Sequence, residues 1–375
     1  MTPDTAPQRV VIKIGSSSLT SRHGEISRRK LEKLVDEIAL LKDMGHEVVL
    51  VSSGAVAAGY RKLGCLERPN TLPEKQAAAS IGQGLLMEAY SELFLSHGYV
   101  ASQILITRSD FSDENRYKNV RNTLNVLLER GIIPIVNEND TVTIDRLKFG
   151  DNDTLSAKVA GLLDSDRLII LSDIDGLYNA DPRKQLHAKL LEKVTEITPE
   201  IEAAAGDSGS SVGTGGMRSK IEAVKIAMAS GITTFLGKAG IPHVLMGAVN
   251  ETARGTYFKV EAHMVNLNQK KKWIAFNSGP EGEVFINEEM THQLINMKQG
   301  LTLTGLIKVN GPFAKGAVIR ILDQEGSELG LGVVNFSHVE LERWMKQDVI
   351  PHPTEFVVKA EDFVCHLEVS LSVGS

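Results

Sequence analysis

Residues 9–14 read RVVIKI and residues 47–51 read EVVLV, and between them Leu31, Leu34, Val35, Ile38 and Leu41 recur at helical spacing. Apolar runs of strand length without polar alternation belong to strands covered on both faces. A helix opened at Ser27 and stopped at Gly45 joins them into a βαβ unit. The alternation continues along the chain. A helical stretch over 74–97 leads to a strand over 99–107, and 114–130 leads to 132–136; 153–163 leads to 168–171, and 218–230 to 232–236. An α/β fold is expected, with a mostly parallel central sheet flanked by helices and joined by right-handed crossovers. In such sheets ligands sit beyond the C-terminal ends of the strands.

Near residue 260 the pattern changes. Segments such as GEVFI, GLIKV and GSELGLGVV are short, rich in β-formers and separated by Gly, Pro and Asn. They predict a small β-rich, barrel-like domain with one helix around 337–346. A length of 375 residues also favours two domains, expected at 1–265 and 270–375. The run Lys270-Lys271-Lys272 between them reads as a solvated linker or as a nucleic-acid contact. A net charge of −6 argues against non-specific nucleic-acid binding by the whole chain. The two cysteines, Cys65 and Cys365, stand far apart, which fits a reducing compartment. No signal peptide is read at the N-terminus and no apolar run is long enough to span a bilayer, so a cytoplasmic protein without membrane contact is expected.

The strand ends carry the polar residues. Lys13 stands on the first strand, followed by Gly15-Ser16-Ser17-Ser18; it is either a phosphate-reaching amine or an exposed lysine before a turn. Ser52-Ser53-Gly54-Ala55 offers amides to a carboxylate or is a helix cap. Asn137-Glu138-Asn139-Asp140 and Gly150-Asp151-Asn152-Asp153 are dense in carboxylates and carboxamides, at a strand end and at a helix start. Ser172-Asp173-Ile174-Asp175-Gly176 follows another strand; it lacks the ligand pattern of an EF-hand. Residues 213–220, GTGGMRSK, precede a helix. Glycines let backbone N–H groups close on an anion, the helix start adds partial positive charge, and Lys220 adds a full one. The order is not that of a Walker A loop. Neither a zinc-ligand set of His and Cys nor a dinucleotide-binding G-x-G-x-x-G after the first strand is present.

VVIKIGSSSLT, VLVSSGAVAAG, PIVNENDTV, FGDNDTLSA, LSDIDGLYNADPR and GTGGMRSK, taken in this order, resemble the amino acid kinase family. The likeness covers residues 9 to about 258, and the tail resembles a PUA domain. The resemblance implies a kinase sandwich fold and ATP-dependent phosphorylation of a carboxylate, with L-glutamate as the acceptor and Mg²⁺ accompanying ATP. By the same resemblance, Lys13 and Lys220 contact the transferring phosphoryl group and Asp153 orients them. Ser53, Asp140 and Asn152 match acceptor-binding positions, with Gly54 and Asn137 in the same clusters. Lys13, Gly15, Ser172, Asp173, Thr214, Gly215, Gly216, Met217, Arg218, Ser219 and Lys220 fall to ATP. Ser172 stands where the family often has threonine, and the hydroxyl is kept. No residue is singled out as a metal ligand. The family further implies inhibition by proline and a homo-oligomer, dimer or tetramer. The alternatives are a family member acting on N-acetylglutamate, aspartate, carbamate or a nucleoside monophosphate, or an RNA-binding protein acting through its PUA-like tail. The tail balances its charges and has few aromatics, so it lacks the basic face RNA calls for.

Overall fold

The computed structural model describes residues 6–21, 25–143, 151–180, 187–206, 216–260, 267–276, 278–347 and 355–366. They fall into two compact units, one from the described residues of Met1–Asp110 and Asn115–His263, the other from those of Phe111–Glu114 and Met264–Ser372.

The first unit runs β1 (Arg9–Ile14), α1 (Ser16–Leu19), α2 (Arg28–Asp43), β2 (Glu47–Ser52), α3 (Ala55–Gly59), α4 (Leu72–Ser96) and β3 (Ala101–Ile106). Then come α5 (Arg108–Ser112), α6 (Glu114–Glu129), β4 (Ile133–Glu138), α7 (Asn152–Leu162) and β5 (Arg167–Ser172). It closes with β6 (Lys193–Val194), α8 (Pro199–Gly206), α9 (Met217–Ala229), β7 (Thr233–Lys238), α10 (Val244–Val249) and β8 (Gly255–Phe258). The eight strands form one sheet in the order β3-β4-β2-β1-β5-β7-β8-β6. All neighbours are parallel except β7 and β8. Strand β1 sits between β2 and β5, where the strand order changes direction and a ligand crevice is expected.

Period-2 geometry explains how β1 buries a charge. Val10, Ile12 and Ile14 face one side and pack with Leu31, Leu34, Val35, Ile38 and Leu41 of α2 in one core cluster. Lys13 must then face the other side. That side is covered by α7, which is buried along nearly its whole length, Asp153, Ser156 and Lys158 included. Its N-terminus is defined by Asp151, whose side chain accepts from Thr154 N at 2.9 Å. Helix α2 starts after Ser27 and its chain turns at Gly45, with φ +86°.

The second unit holds α11 (Gln269–Phe276), β9 (Gly282–Ile286), α12 (Glu288–Ile295), β10 (Leu301–Thr302), β11 (Leu306–Asn310), β12 (Val318–Leu322), β13 (Glu328–Val334), α13 (His338–Gln347) and β14 (Phe356–Cys365). Its strands form a six-stranded sheet, β10-β14-β13-β12-β9-β11, antiparallel except between β9 and β12. Sequence reading expected one helix here, α13. Helix α12 was missed although Asn287 caps it, accepting from Met290 N at 2.8 Å, and Met290 and Leu294 bury one face. The lysine run is also corrected. It is not a linker but the first half of α11, capped by Asn268, with Lys272 buried and Lys270 paired to Asp362. Among the described residues no helix is long and apolar enough to cross a membrane.

Candidate functional site

Because β3, β4, β2, β1, β5 and β7 are parallel, Lys13, Ser52-Ser53, Asn137-Glu138 and Ser172 all lie toward one edge of the sheet. Register fixes their relative depth: Lys13 is level with Val51 and Ile170, and Ile14 with Ser52 and Leu171. Above this edge two helices begin. Asp153 lies in the first turn of α7 and Lys220 in the first turn of α9. The two first turns meet, so two partially positive helix ends converge at the same place.

The centre of that place is a buried triad. Lys13 Nζ is 2.5 Å from Asp153 Oδ1, and Lys220 Nζ is 3.1 Å from Asp153 Oδ2. Side-chain exposure is 7% for Lys13, 6% for Lys220 and 0% for Asp153, which leaves solvent little part in neutralising them. Ser219 Oγ donates to Asp153 Oδ2 at 3.2 Å and to the Gly216 carbonyl at 2.9 Å, tying the start of α9 to the carboxylate. Burial opposes ionisation of Asp153, but the charges and hydrogen bonds of Lys13 and Lys220 outweigh it and hold its carboxyl below the usual range. Two ammonium groups and one carboxylate sum to +1. A buried charge of that sign beside two helix N-termini is suited to a multiply charged anion. Gly15 lies beside the triad: a Cβ there would stand in ordinary contact with Lys13 Nζ, at 3.5 Å.

Beside the triad lies a second, uncharged cluster. Asn152 Nδ2 donates to Ser53 Oγ at 2.8 Å, to Asn137 Oδ1 at 3.0 Å and to the Ser52 carbonyl at 3.3 Å. Adjacency in sequence links the two clusters, because Asn152 precedes Asp153. Gly54 turns the chain out of β2 with φ +109°, a conformation costly for other residues. Ser52, buried at the strand end, has its hydroxyl 2.8 Å from that of Tyr90.

The remaining expected residues are placed as follows. Asp140 lies in the turn after β4. Ser172, buried at the end of β5, donates to the exposed Asp173 at 3.0 Å. Gly216, Met217, the exposed Arg218 and Ser219 open α9. Thr214 and Gly215, with Gly150 and Gly213, lie outside the described residues. Asp175 is held in its own loop, accepting from the Tyr178 hydroxyl and pairing with Arg254 at 3.3 Å. Sequence reading missed Gln83 and Tyr90, which touch the second cluster from α4, and Gln103 of β3, which meets Gln83. They carry no local motif, so only the packing of α4 reveals them. Among the described residues no group of three or more His, Cys, Asp or Glu is placed to hold a metal ion.

Residues 8–238 match the amino acid kinase family, and residues 282–350 match the PUA domain. A protein of Bacillus licheniformis named Glutamate 5-kinase 2 is 66% identical over 366 residues, which are 97% of this chain and 98% of its own. A protein of the same name from Bacillus subtilis is 64% identical over 374 residues, with 100% of both chains covered. Carbamate kinase from Giardia lamblia bound to AMP-PNP has a similar fold, with a TM-score of 0.51 at 17% identity, covering 68% of this chain and 99% of that one.

Proposed function

The chain belongs to the amino acid kinase family, and on that premise we propose that it transfers the γ-phosphoryl group of ATP to the side-chain carboxylate of L-glutamate. The product is L-glutamyl 5-phosphate, the first intermediate of proline biosynthesis, and proline is the expected end-product inhibitor. The observation that carries the phosphoryl-transfer chemistry is the buried Lys13–Asp153–Lys220 triad with its net charge of +1. Identity of 64–66% to proteins named Glutamate 5-kinase 2 supports the acceptor.

The chemistry asks little covalent work of the protein. A carboxylate is already ionised at neutral pH and needs no general base. Its oxygen attacks the γ-phosphorus, the bond to the β-phosphate oxygen breaks, and ADP leaves with the electron pair. The obstacle is charge, because an anion must approach a triphosphate of about four negative charges. Lys13 comes from the first strand and Lys220 from a late helix start, and both would offset the charge of the transferring group. Asp153 holds both ammonium groups, and the same contacts lower its basicity, so it serves as their organiser and not as a base. In this reading Gly15, Ser172, Asp173 and residues 214–220 fall to ATP, and the first-turn amides of α9 would offer fixed dipoles to its developing charge. Mg²⁺ would be held mainly by the phosphates and water, as this ion tolerates, and it offsets part of the triphosphate charge. At the acceptor end Ser53, Gly54, Asn137 and Asn152 receive glutamate, and Asp140 pairs with its ammonium group.

ADP release with a panel of acceptors, hydroxylamine being present to trap acyl phosphates, tests the proposal. Hydroxamate is expected with L-glutamate, and little with N-acetyl-L-glutamate, which has lost the ammonium charge. Preference for the acetylated acid, aspartate or a nucleoside monophosphate would overturn the assignment.

A further inference from the structure

Two backbone groups fix the polarity of the amides around Ser53. The Glu138 N–H can only donate, and it meets Asn137 Oδ1 at 2.9 Å. The Ser52 carbonyl can only accept, and it meets Asn152 Nδ2. Asn137 therefore turns Nδ2 the other way, where it donates to Gln83 Oε1 at 2.9 Å. Gln83 Nε2 in turn donates to Gln103 Oε1 at 3.3 Å. The donors and acceptors of four amides thus run in one sense from Asn152 through Asn137 and Gln83 to Gln103.

That sense dictates what the open end offers. Ser53 Oγ already accepts from Asn152, so its proton is available to an anion. Asn152 commits its Nδ2 to protein acceptors, so oxygen is the atom it can present to a cation. A proton for a carboxylate beside an oxygen for an ammonium group is what an α-amino acid requires. Reversal of the Asn152 amide would present the wrong atom to each.

We propose that Gln83 is a positioning residue for the amino-acid acceptor, acting through Asn137 to keep Asn152 and Ser53 in this polarity. The inference rests on the phosphoryl-acceptor reading above. The packing of α4 is built for it. A Cβ on Gly82 would stand 1.8 Å from the Ala55 carbonyl oxygen, and one on Gly59 would stand 1.9 Å from that of Ala78. Two glycines therefore let α3 and α4 touch backbone to backbone, and Gln83 follows directly after the contact. Asn137 is 4% exposed, so without the Gln83 oxygen its N–H would be buried and unpaired, a penalty that drives the side chain to move.

The test compares Gln83→Met, which removes the acceptor oxygen, with Gln83→Glu, which keeps one; Gln83→Leu is a second apolar variant should the first not fold. Gln83→Met is expected to raise the KM for the acceptor about tenfold, the scale of one unpaired buried donor. The KM for ATP should stay within about twofold and Gln83→Glu should recover most of the loss. In an Asn152→Ala background, Gln83→Met should add less than about twofold, because the two act in one chain of contacts. An unchanged acceptor KM, parallel rises in both KM values, or additive effects with Asn152→Ala would overturn the proposal. The comparison is made on whichever acceptor the wild-type enzyme uses best. A wild type inactive on glutamate therefore defeats the substrate assignment while the role of Gln83 is still decided.

Discussion

Replacing Asp153 by Asn removes the one negative charge of the triad and leaves both lysines buried. At an effective dielectric of about 20, contacts of 2.5 and 3.1 Å correspond to about 7 and about 5 kcal/mol of Coulomb attraction. Desolvation of three ions offsets most of this, and breaking a buried pair from one side costs roughly 3–5 kcal/mol. For a unit of this size that is a fall of about 6–20 °C in melting temperature. Catalysis should suffer separately. With no carboxylate between them, Lys13 and Lys220 repel and leave their places, and kcat is expected to fall by about 10²- to 10³-fold, as for loss of a preorganised donor. ATP binding should not follow, because the triad's charge rises from +1 to +2 and still attracts a triphosphate. Steady-state ADP release, with a thermal melt on the same preparation, reads all three quantities. Near-native kcat, or intact kcat with a large rise in the KM for ATP alone, would refute the role of Asp153 as organiser of the lysines.

Lys220→Met should lower kcat by roughly 10²- to 10³-fold, and near-native turnover in that variant would remove the residue from the reaction. Asp140→Asn should raise the KM for glutamate with kcat nearly kept; a raised KM for ATP instead would place Asp140 at the other substrate. Lys158, buried on α7 near Arg108, has its amine pushed down to about 8 by burial first and by the Arg108 charge second. The unfolded chain then binds more protons than the folded one between about pH 8 and the ordinary lysine value, so stability should rise with pH across that window, by up to about 3 kcal/mol. Lys158→Met should flatten that rise in melts taken from pH 7.5 to 10.5, and an unchanged slope would contradict the assignment.

Much of the fold was legible because a parallel sheet writes itself as continuous apolar runs, and β1, β2, β4, β5 and β7 all read that way. The short β6 and β8 were not, since two and four residues carry no periodicity. Helix α12 hid inside a segment read for its strands, although Asn287 and the two glutamates after it are ordinary helix-start signals. At the site, the Ser52-Ser53-Gly54-Ala55 run was ambiguous in sequence, as was Lys13 taken by itself. Its meaning came from the alternation that turns it away from Ile12 and Ile14, and from Asp153 waiting on α7. The amides of Gln83 and Gln103 left no trace in the sequence, because their partners are set by helix packing and not by neighbours along the chain.

Transfer of phosphoryl to the glutamate side-chain carboxylate is tested most directly with L-glutamate carrying ¹⁸O in that carboxylate, incubated with ATP, Mg²⁺ and hydroxylamine. Hydroxylamine attacks the acyl carbon, so the phosphate it expels keeps the bridging oxygen. One ¹⁸O per phosphate released, in step with glutamyl hydroxamate, is the expected result. Unlabelled phosphate accompanying ADP would mean that water, and not glutamate, receives the group.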